Sequence, residues 1–513
     1  MQKAPCIQMS GICKSFGKVY ANSDASLEVL RGEIHALLGE NGSGKSTLMN
    51  MLAGIYSPDA GEIIINGEAK SFSSPHDSLK AGIGMVHQHF KLVEVMTAAE
   101  NISAGCEKSF FRKPKKTENK IREICEKYSL SLDPCKKIYN MSVGEKQTVE
   151  IVKMLYRGAT MFILDEPTAV LTPQEAENLF DILRNMKEQG CAIIIITHKL
   201  NEVMEISDRV TVLRAGKTIG TVNTLETNPN ALTEMMVGKA VELEITRDEP
   251  KLSEKPILEI ENLSCKNELG RNMLRDMTFS LHGGEILGVA GIAGSGQKEL
   301  CEIIAGMQKA DSGSVKFENE EILGLSPIEI LRRGVSMSFV PEDRLGMGLV
   351  AGMDITNNVL LRSFKRDRGM FVNRRKAKRQ AEEMVDRYDI KTPSVSHTLR
   401  KLSGGNIQKV LLGREVELNP KLLITAYPVR GLDIGASYHI YDILNNQKRE
   451  GVAVLFIGED LDVLLALCDR LLVMHDGKVM DIVDPKKVTK EEVGLLMLGH
   501  HIKERGDENV PNN

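Results

Sequence analysis

Short apolar runs that end in polar or glycine-rich segments set the rhythm of this 513-residue chain. Residues 33–38 lead straight into Gly39-Glu40-Asn41-Gly42-Ser43-Gly44-Lys45-Ser46-Thr47. Residues 161–164 stop at two acids, and Ala192–Thr197 stops at His198. Apolar, β-rich runs of this length predict buried parallel strands. Helical patterns separate them, so an α/β class is expected. Two more heavily charged stretches, 94–140 and 352–401, read as mostly helical.

The pattern occurs twice. Met141-Ser142-Val143-Gly144-Glu145 pairs with Leu402-Ser403-Gly404-Gly405-Asn406. Asp165-Glu166-Pro167 pairs with Ala426-Tyr427-Pro428, and Thr197-His198 with Gly458-Glu459. These pairs share an offset of 261 residues, whereas Gly39 and its counterpart Gly291 are 252 apart. A domain-sized period in register is the mark of tandem duplication, far longer than a solenoid repeat. Two domains, 1–245 and 257–505, are expected, joined by a polar, Pro-bounded linker at 246–256 and followed by a frayed tail at 506–513.

Composition narrows the classes. A net charge of −4 argues against a surface built for nucleic acid. Aromatics at 4%, with no Trp, exclude an extended stacking platform for single strands. The nine cysteines are scattered without C-x-x-C spacing, as free thiols in a reducing cytosol are. No apolar run approaches the length of a membrane span.

Candidate chemistry concentrates in the first half. The stretch 39–47 fits G-x-x-x-x-G-K-[ST], a P-loop for nucleoside triphosphate. Its glycines let successive N–H groups turn inward as an anion nest, and a helix N-terminus adds its dipole. Lys45 suits the β/γ-phosphates and Ser46 suits Mg²⁺. Asp165 is the expected Mg²⁺ holder, and Glu166 the general base that polarises the attacking water. His198, at a strand end, is placed to donate near the γ-phosphate. Gln88 is a candidate for Mg²⁺ or the water, and Phe16, 23 residues before Gly39, for stacking on adenine.

The second copy is depleted. Gly291-Ile292-Ala293-Gly294-Ser295-Gly296-Gln297-Lys298 keeps the glycines but has Gln297 for the lysine and Lys298 for the hydroxyl residue. Ala426-Tyr427 replaces the acid pair, Glu459 replaces the histidine, and Glu342 aligns with Gln88. Glu268 stands where Phe16 does. Losing one cation in a dry site costs a few kcal/mol, so hydrolysis is expected only in the first half.

Leu402-Ser403-Gly404-Gly405-Asn406-Ile407-Gln408-Lys409 closely resembles the signature of ATP-binding-cassette ATPases. With the P-loop, Gln88, Asp165-Glu166-Pro167-Thr168 and His198, the resemblance extends over essentially the whole chain. It implies two P-loop NTPase domains, each with a RecA-like core, a β-rich subdomain and a helical subdomain. It also implies that cassettes close head to tail, so that Ser403, Gly404 and Gly405 would complete the ATP site of Lys45, Asp165, Glu166 and His198. Asp433 would lie near that seam.

A fused double cassette resembles the energy-coupling subunit of bacterial importers for simple sugars and nucleosides. Residues 85–93 and 424–436, the latter without its acid pair, resemble the nucleoside branch more closely. The implied partners are two membrane permeases and an extracytoplasmic solute-binding lipoprotein, with this chain peripheral on the cytoplasmic face and no nucleic acid involved. The Gln88 and Glu342 loops would receive the permeases. Basic runs at 112–116 and 374–379 suit permease or anionic headgroups, and equally a solvated helix face. A sugar is the alternative solute. A soluble double-cassette factor acting on ribosomes is the alternative class, disfavoured by the short linker and the missing second acid pair.

Overall fold

The computed structural model describes residues 5–501 except 18, 88–89, 107–113, 170, 239–244, 246, 268–269, 293, 340–347, 364–372, 431 and 433. Gln88, Glu268, Glu342, Asp433, residues 112–113 of the first basic run and the 506–513 tail lie outside the described residues. The chain divides into two compact units, Met1–Leu243 and Glu244–Asn513.

In the first unit, β1 (Pro5–Phe16), β2 (Val19–Leu30), β4 (Ala60–Ile65) and β5 (Glu68–Lys70) form an antiparallel sheet in the order β2-β1-β4-β5. The second sheet contains β3 (Ile34–Leu38), β6 (Ile83–Val86), β7 (Met161–Asp165), β8 (Ala192–Thr197), β9 (Arg209–Arg214) and β10 (Lys217–Asn223). Its order is β10-β9-β3-β8-β7-β6, parallel apart from β10. The predicted runs therefore form three adjacent strands, with β8 between β3 and β7. Every residue of β3 and β8 is buried, which explains why these strands read as continuous rather than alternating apolar runs.

The second unit repeats the plan. β11 (Pro256–Lys266), β12 (Asn272–His282), β14 (Ser312–Phe317) and β15 (Glu320–Glu321) pair in the order β12-β11-β14-β15. β13 (Ile286–Gly291), β16 (Val335–Phe339), β17 (Leu422–Ala426), β18 (Ala453–Ile457), β19 (Arg470–His475) and β20 (Lys478–Val483) pair in the order β16-β17-β18-β13-β19-β20. In each unit one apolar cluster lies between the two sheets and another packs helices on the far face of the larger sheet. The charged stretches hold helices Ala98–Ser103 and Pro114–Tyr128 in the first unit, and Ile355–Ser363 and Arg374–Arg387 in the second.

The segment expected as a linker makes fixed contacts with the rest of the second unit. Arg247 Nη1 donates to Cys468 O at 2.8 Å, and Lys486 pairs with Glu249 at 2.7 Å. Ser253 N donates to Gly283 O, and Gly283 N to Ser253 Oγ. Its polarity serves these fixed contacts, and composition alone does not separate a polar strap from a solvated linker.

Both P-loops hold glycines at positive φ, 82° and 99° at Gly42 and Gly44, and 89° and 102° at Gly294 and Gly296. At Gly296 a Cβ would sit 2.5 Å from Met273 O, whereas at Gly294 it would meet open space. Gly294→Ala should lower stability by about 1–2 kcal/mol from the backbone alone. Gly296→Ala should cost clearly more, because the clash is with backbone. Thermal unfolding of the two variants side by side measures the difference.

Candidate functional site

The carboxyl ends of β3, β8 and β7 bring the candidate residues of the first unit to one edge of the sheet, where ligands bind in open α/β folds. The chain leaves β3 at Leu38, turns through 39–44 and enters helix Lys45–Leu52, whose N-cap is Gly44. Ser43 N donates to Glu40 O at 3.1 Å, and Gly216 N donates to Ser43 O at 3.0 Å. Ser23 N donates in turn to Gly216 O at 2.9 Å, so the loop is braced by β2 and the β9–β10 turn. A Cβ on Gly44 would lie 2.4 Å from Ala21 O, so this bracing needs glycine there.

Lys45 is buried, and its Nζ donates to Gly39 O at 2.7 Å and Glu40 O at 2.9 Å. Burial lowers its pKa, and the charges of Glu166, Asp165 and Glu40 oppose that shift. The ammonium thus folds back on its own loop. Ser43 Oγ is buried with no hydrogen-bond partner among the described residues. An oxyanion seated in the loop satisfies both groups, which is the fit expected of phosphate.

Asp165 ends β7 and is desolvated, which with the neighbouring charge of Glu166 pushes its pKa up to about 6 despite Lys45. Glu166 follows at φ 46°, held by its N–H donating to Ile196 O at 2.9 Å. Its Oε1 lies 2.9 Å from His198 Nδ1, and this hydrogen bond is the main cause of its lowered pKa. The pairing joins two residues that were assigned separate roles from their positions in the chain. It fixes the carboxylate ionised and oriented, as a general base requires. Thr168 Oγ1 donates to Glu202 Oε1 at 2.6 Å, which steadies the turn behind it. Asp165 and the exposed Ser46 supply oxygen donors suited to a hard divalent cation. Two adjacent carboxylates facing one buried ammonium leave an excess of negative charge that such a cation offsets.

Phe16 is 46% exposed and packs edge-on against Tyr56, ring centroids 5.3 Å apart. Tyr56 extends the aromatic surface and was not singled out from sequence, since a lone Tyr 40 residues downstream carries no signal.

In the second unit the backbone is conserved and the chemistry is not. Ser295 N donates to Ile292 O at 3.0 Å, Gly477 N to Ser295 O at 3.1 Å, and Arg275 N to Gly477 O at 2.8 Å, matching the first loop bond for bond. Gln297 Nε2 reaches Ile292 O at 3.3 Å, the carbonyl equivalent to that of Glu40, but brings no charge. Tyr427 stands where Glu166 does, at φ 51° with its N–H donating to Ile457 O at 2.8 Å. Burial, the first cause, and Glu459 push its pKa up to about 12, so it is a neutral phenol. Glu459 lies 3.3 Å from Arg430 Nε.

The signature Ser403-Gly404-Gly405 opens helix Gly404–Val416, with Ser403 as N-cap and no acid in the first turn. Asn406 Nδ2 donates to Ser403 Oγ at 2.8 Å.

Two P-loop cassettes with this strand order and motif set define a tandem nucleotide-hydrolase architecture. The sequence profile of the family described as "ABC transporter" matches residues 22–169 and 274–428. The chain belongs to the ABC transporter family, as one of its ATP-binding proteins. It is 43% identical to the nucleoside import ATP-binding protein NupA of Lactococcus lactis subsp. cremoris, over 98% of this chain and 100% of that protein. It is 42% identical to the guanosine import ATP-binding protein NupO of Bacillus subtilis, over 98% and 99%. It is 39% identical to the ribose import ATP-binding protein RbsA 1 of Rubrobacter xylanophilus, over 96% and 98%. A solved archaeal ribosome recycling factor, aABCE1, shares the fold at a TM-score of 0.60 and 17% identity, covering 92% of this chain and 90% of that one.

Asp165 binds its proton more tightly in the folded protein, about 6 against an ordinary 3.8. Its ionised form therefore opposes folding at neutral pH, and the penalty fades as pH falls below the ordinary value. Asp165→Asn should stabilise the nucleotide-free protein at pH 8 by about 1–3 kcal/mol, with the gain vanishing near pH 4. Denaturant titrations at the two pH values measure it.

Proposed function

We propose that this chain is the ATP-hydrolysing, energy-coupling subunit of an importer for nucleosides, with turnover confined to the first unit. The observation that carries the reading is the contrast between equivalent positions: Lys45, Asp165, Glu166 and His198 against Gln297, Ala426, Tyr427 and Glu459. In the proposed reaction Lys45 leaves the Gly39 and Glu40 carbonyls for the β/γ-phosphates. Glu166 accepts the proton of the attacking water, and His198 orients Glu166 and donates towards the γ-phosphate. Gly39, Glu40, Asn41, Gly42, Ser43, Gly44 and Thr47 cradle the phosphates, and Phe16 with Tyr56 flanks the adenine. Mg²⁺, held by Ser46, Asp165 and Gln88, supplies charge neutralisation when bound. Ser403, Gly404 and Gly405, at the start of their helix, are proposed as further donors to nucleotide phosphate.

The proposed partners are two membrane permeases and an extracytoplasmic solute-binding lipoprotein, with this chain peripheral on the cytoplasmic face. Among the described residues no helix is long and apolar enough to cross a membrane. Nucleosides are favoured as solute because NupA and NupO, at 43% and 42% identity, are a nucleoside and a guanosine import protein. A sugar is the second reading, on the strength of RbsA 1 at 39%.

Glu166→Gln should lower ATP turnover by at least about a hundredfold, at the low end for loss of a general base, while ATP still binds. Phosphate release and binding of a fluorescent ATP analogue read the two effects, and substantial residual turnover would displace Glu166 from its role. In the complex reconstituted with its permeases and binding protein, nucleosides should stimulate ATPase activity and ribose should not.

A further inference from the structure

Glu166 and His198 stand on two turns that leave neighbouring strands, β7 and β8, and one further side chain ties those turns together. Glu202 lies in the first turn of helix Leu200–Ile206, and its carboxylate collects contacts from both sides. Thr168 Oγ1, just beyond Glu166, donates to Glu202 Oε1 at 2.6 Å. Thr197 Oγ1, next to His198, donates to Glu202 Oε2 at 3.5 Å. Lys199, on the other side of His198, places its Nζ 3.0 Å from Glu202 Oε1. The same ammonium donates to Thr168 O and Thr168 Oγ1, both at 3.3 Å. Lys199 N donates to Thr197 Oγ1 at 3.0 Å, which closes the ring. Thr168 and Thr197 are buried, so their hydroxyls rely on partners within the protein.

The second unit builds the same turns without this ring. By the shared offset of 261, Val429 stands for Thr168, Gly458 for Thr197, Asp460 for Lys199 and Val463 for Glu202. Val429 and Val463 pack against the apolar cluster. Asp460 accepts from Asp462 N at 2.9 Å as the N-cap of helix Leu461–Leu467. The backbone nevertheless keeps its shape, since Tyr427 has the positive φ of Glu166 and the same hydrogen bond to the neighbouring strand. This fold therefore closes the turn with two valines, and stability alone does not call for a carboxylate, an ammonium and two hydroxyls there. All four differ in the unit whose acid and histidine are also replaced.

We propose that Glu202 is a positioning residue for ATP hydrolysis: with Thr168, Thr197 and Lys199 it clamps the turns after β7 and β8 so that Glu166 and His198 meet in one geometry. This rests on the ATPase reading above, and the four residues act through that pair. The 2.9 Å contact between Glu166 Oε1 and His198 Nδ1 joins side chains from two strands, so it is only as constant as the spacing of their turns. The ring holds both neighbours of His198 and the turn beyond Glu166, and so restricts both. A general base that drifts from its place loses rate without losing the bound substrate.

The test gives the first unit the side chains of the second. In the full chain, Thr168→Val and Glu202→Val should each lower kcat by about tenfold, with KM for ATP within about twofold of the parent. T168V/E202V should lose no more than the worse single variant, because both changes break one network. Thr168→Ser keeps the hydroxyl and should hold kcat within about twofold of the parent. Histidine ¹⁵N NMR reads the clamp without turnover. The Nδ1 signal of His198, assigned by its loss in His198→Gln, should move in T168V/E202V and stay in T168S. Circular dichroism should show T168V/E202V folded. Parental kcat or an unmoved His198 signal in T168V/E202V, a rise in KM without a fall in kcat, equal losses in T168S and T168V, or an unfolded T168V/E202V would each overturn the proposal. Glu166→Gln separates the two readings. If it loses turnover while T168V/E202V keeps parental kcat, only this inference fails; if it turns over like the parent, the ATPase reading fails and takes the inference with it.

Discussion

A loop that turns its amide groups inward around an oxyanion must pass through positive φ, and it must let neighbouring backbone come close. Gly42 and Gly44 meet the first demand, and the 2.4 Å approach of Ala21 O to the absent Cβ of Gly44 shows the second. This cradle is braced by hydrogen bonds from residues far apart in sequence, Ser23 and Gly216 among them. The bracing fixes where β2, β3, β9 and β10 meet. Strand order then delivers Asp165, Glu166 and His198 to the same edge. Fold and site share one constraint here, so the cradle survives in the second unit even where its chemistry has gone.

Charge distinguishes the two cradles. In the first, a buried ammonium satisfies two loop carbonyls close to two carboxylates, and the proton affinity of Asp165 rises through burial first and the Glu166 charge second, despite that ammonium. That imbalance is poised for ligands carrying both phosphate and a divalent cation. In the second, Gln297 makes one long contact to the equivalent carbonyl and Tyr427 is neutral, so no comparable field exists. Glu459 pairs with Arg430, whose Nε lies 3.3 Å away.

The strands were legible in the sequence because each is buried on both faces, so that Ala192–Thr197 needs no alternation to be recognised. The P-loop and the acid pair were legible because backbone geometry and charge leave few residue choices at fixed spacing. The hydrogen bond between Glu166 and His198 was not, since it depends on how β7 and β8 align across 32 residues. Glu202 was invisible for a similar reason: it stands 34 residues from Thr168, and only the fold brings its carboxylate to that hydroxyl. The contacts of the linker segment were not legible, because charged residues that pair with a surface and charged residues that face water have the same composition.

The strained residue at 166 and 427 shows one backbone geometry carrying two chemically different side chains. A non-glycine side chain at φ near 50° carries a conformational cost of about 1–2 kcal/mol. At Glu166 that cost aims a carboxylate at His198, and strain of this kind is expected where a site must be held in one geometry. At Tyr427 no such purpose remains, yet φ is 51° and the N–H still donates to Ile457 O as Glu166 N does to Ile196 O. The backbone there is set by the register of β17 against β18, independently of the side chain it carries. Tyr427 keeps its body in the apolar cluster between the sheets, where a carboxylate would be desolvated and would share Arg430 with Glu459. With Gln297 at the position of Lys45, a neutral side chain avoids burying an anion beside an uncharged loop, so the two differences between the units are electrostatically consistent with each other.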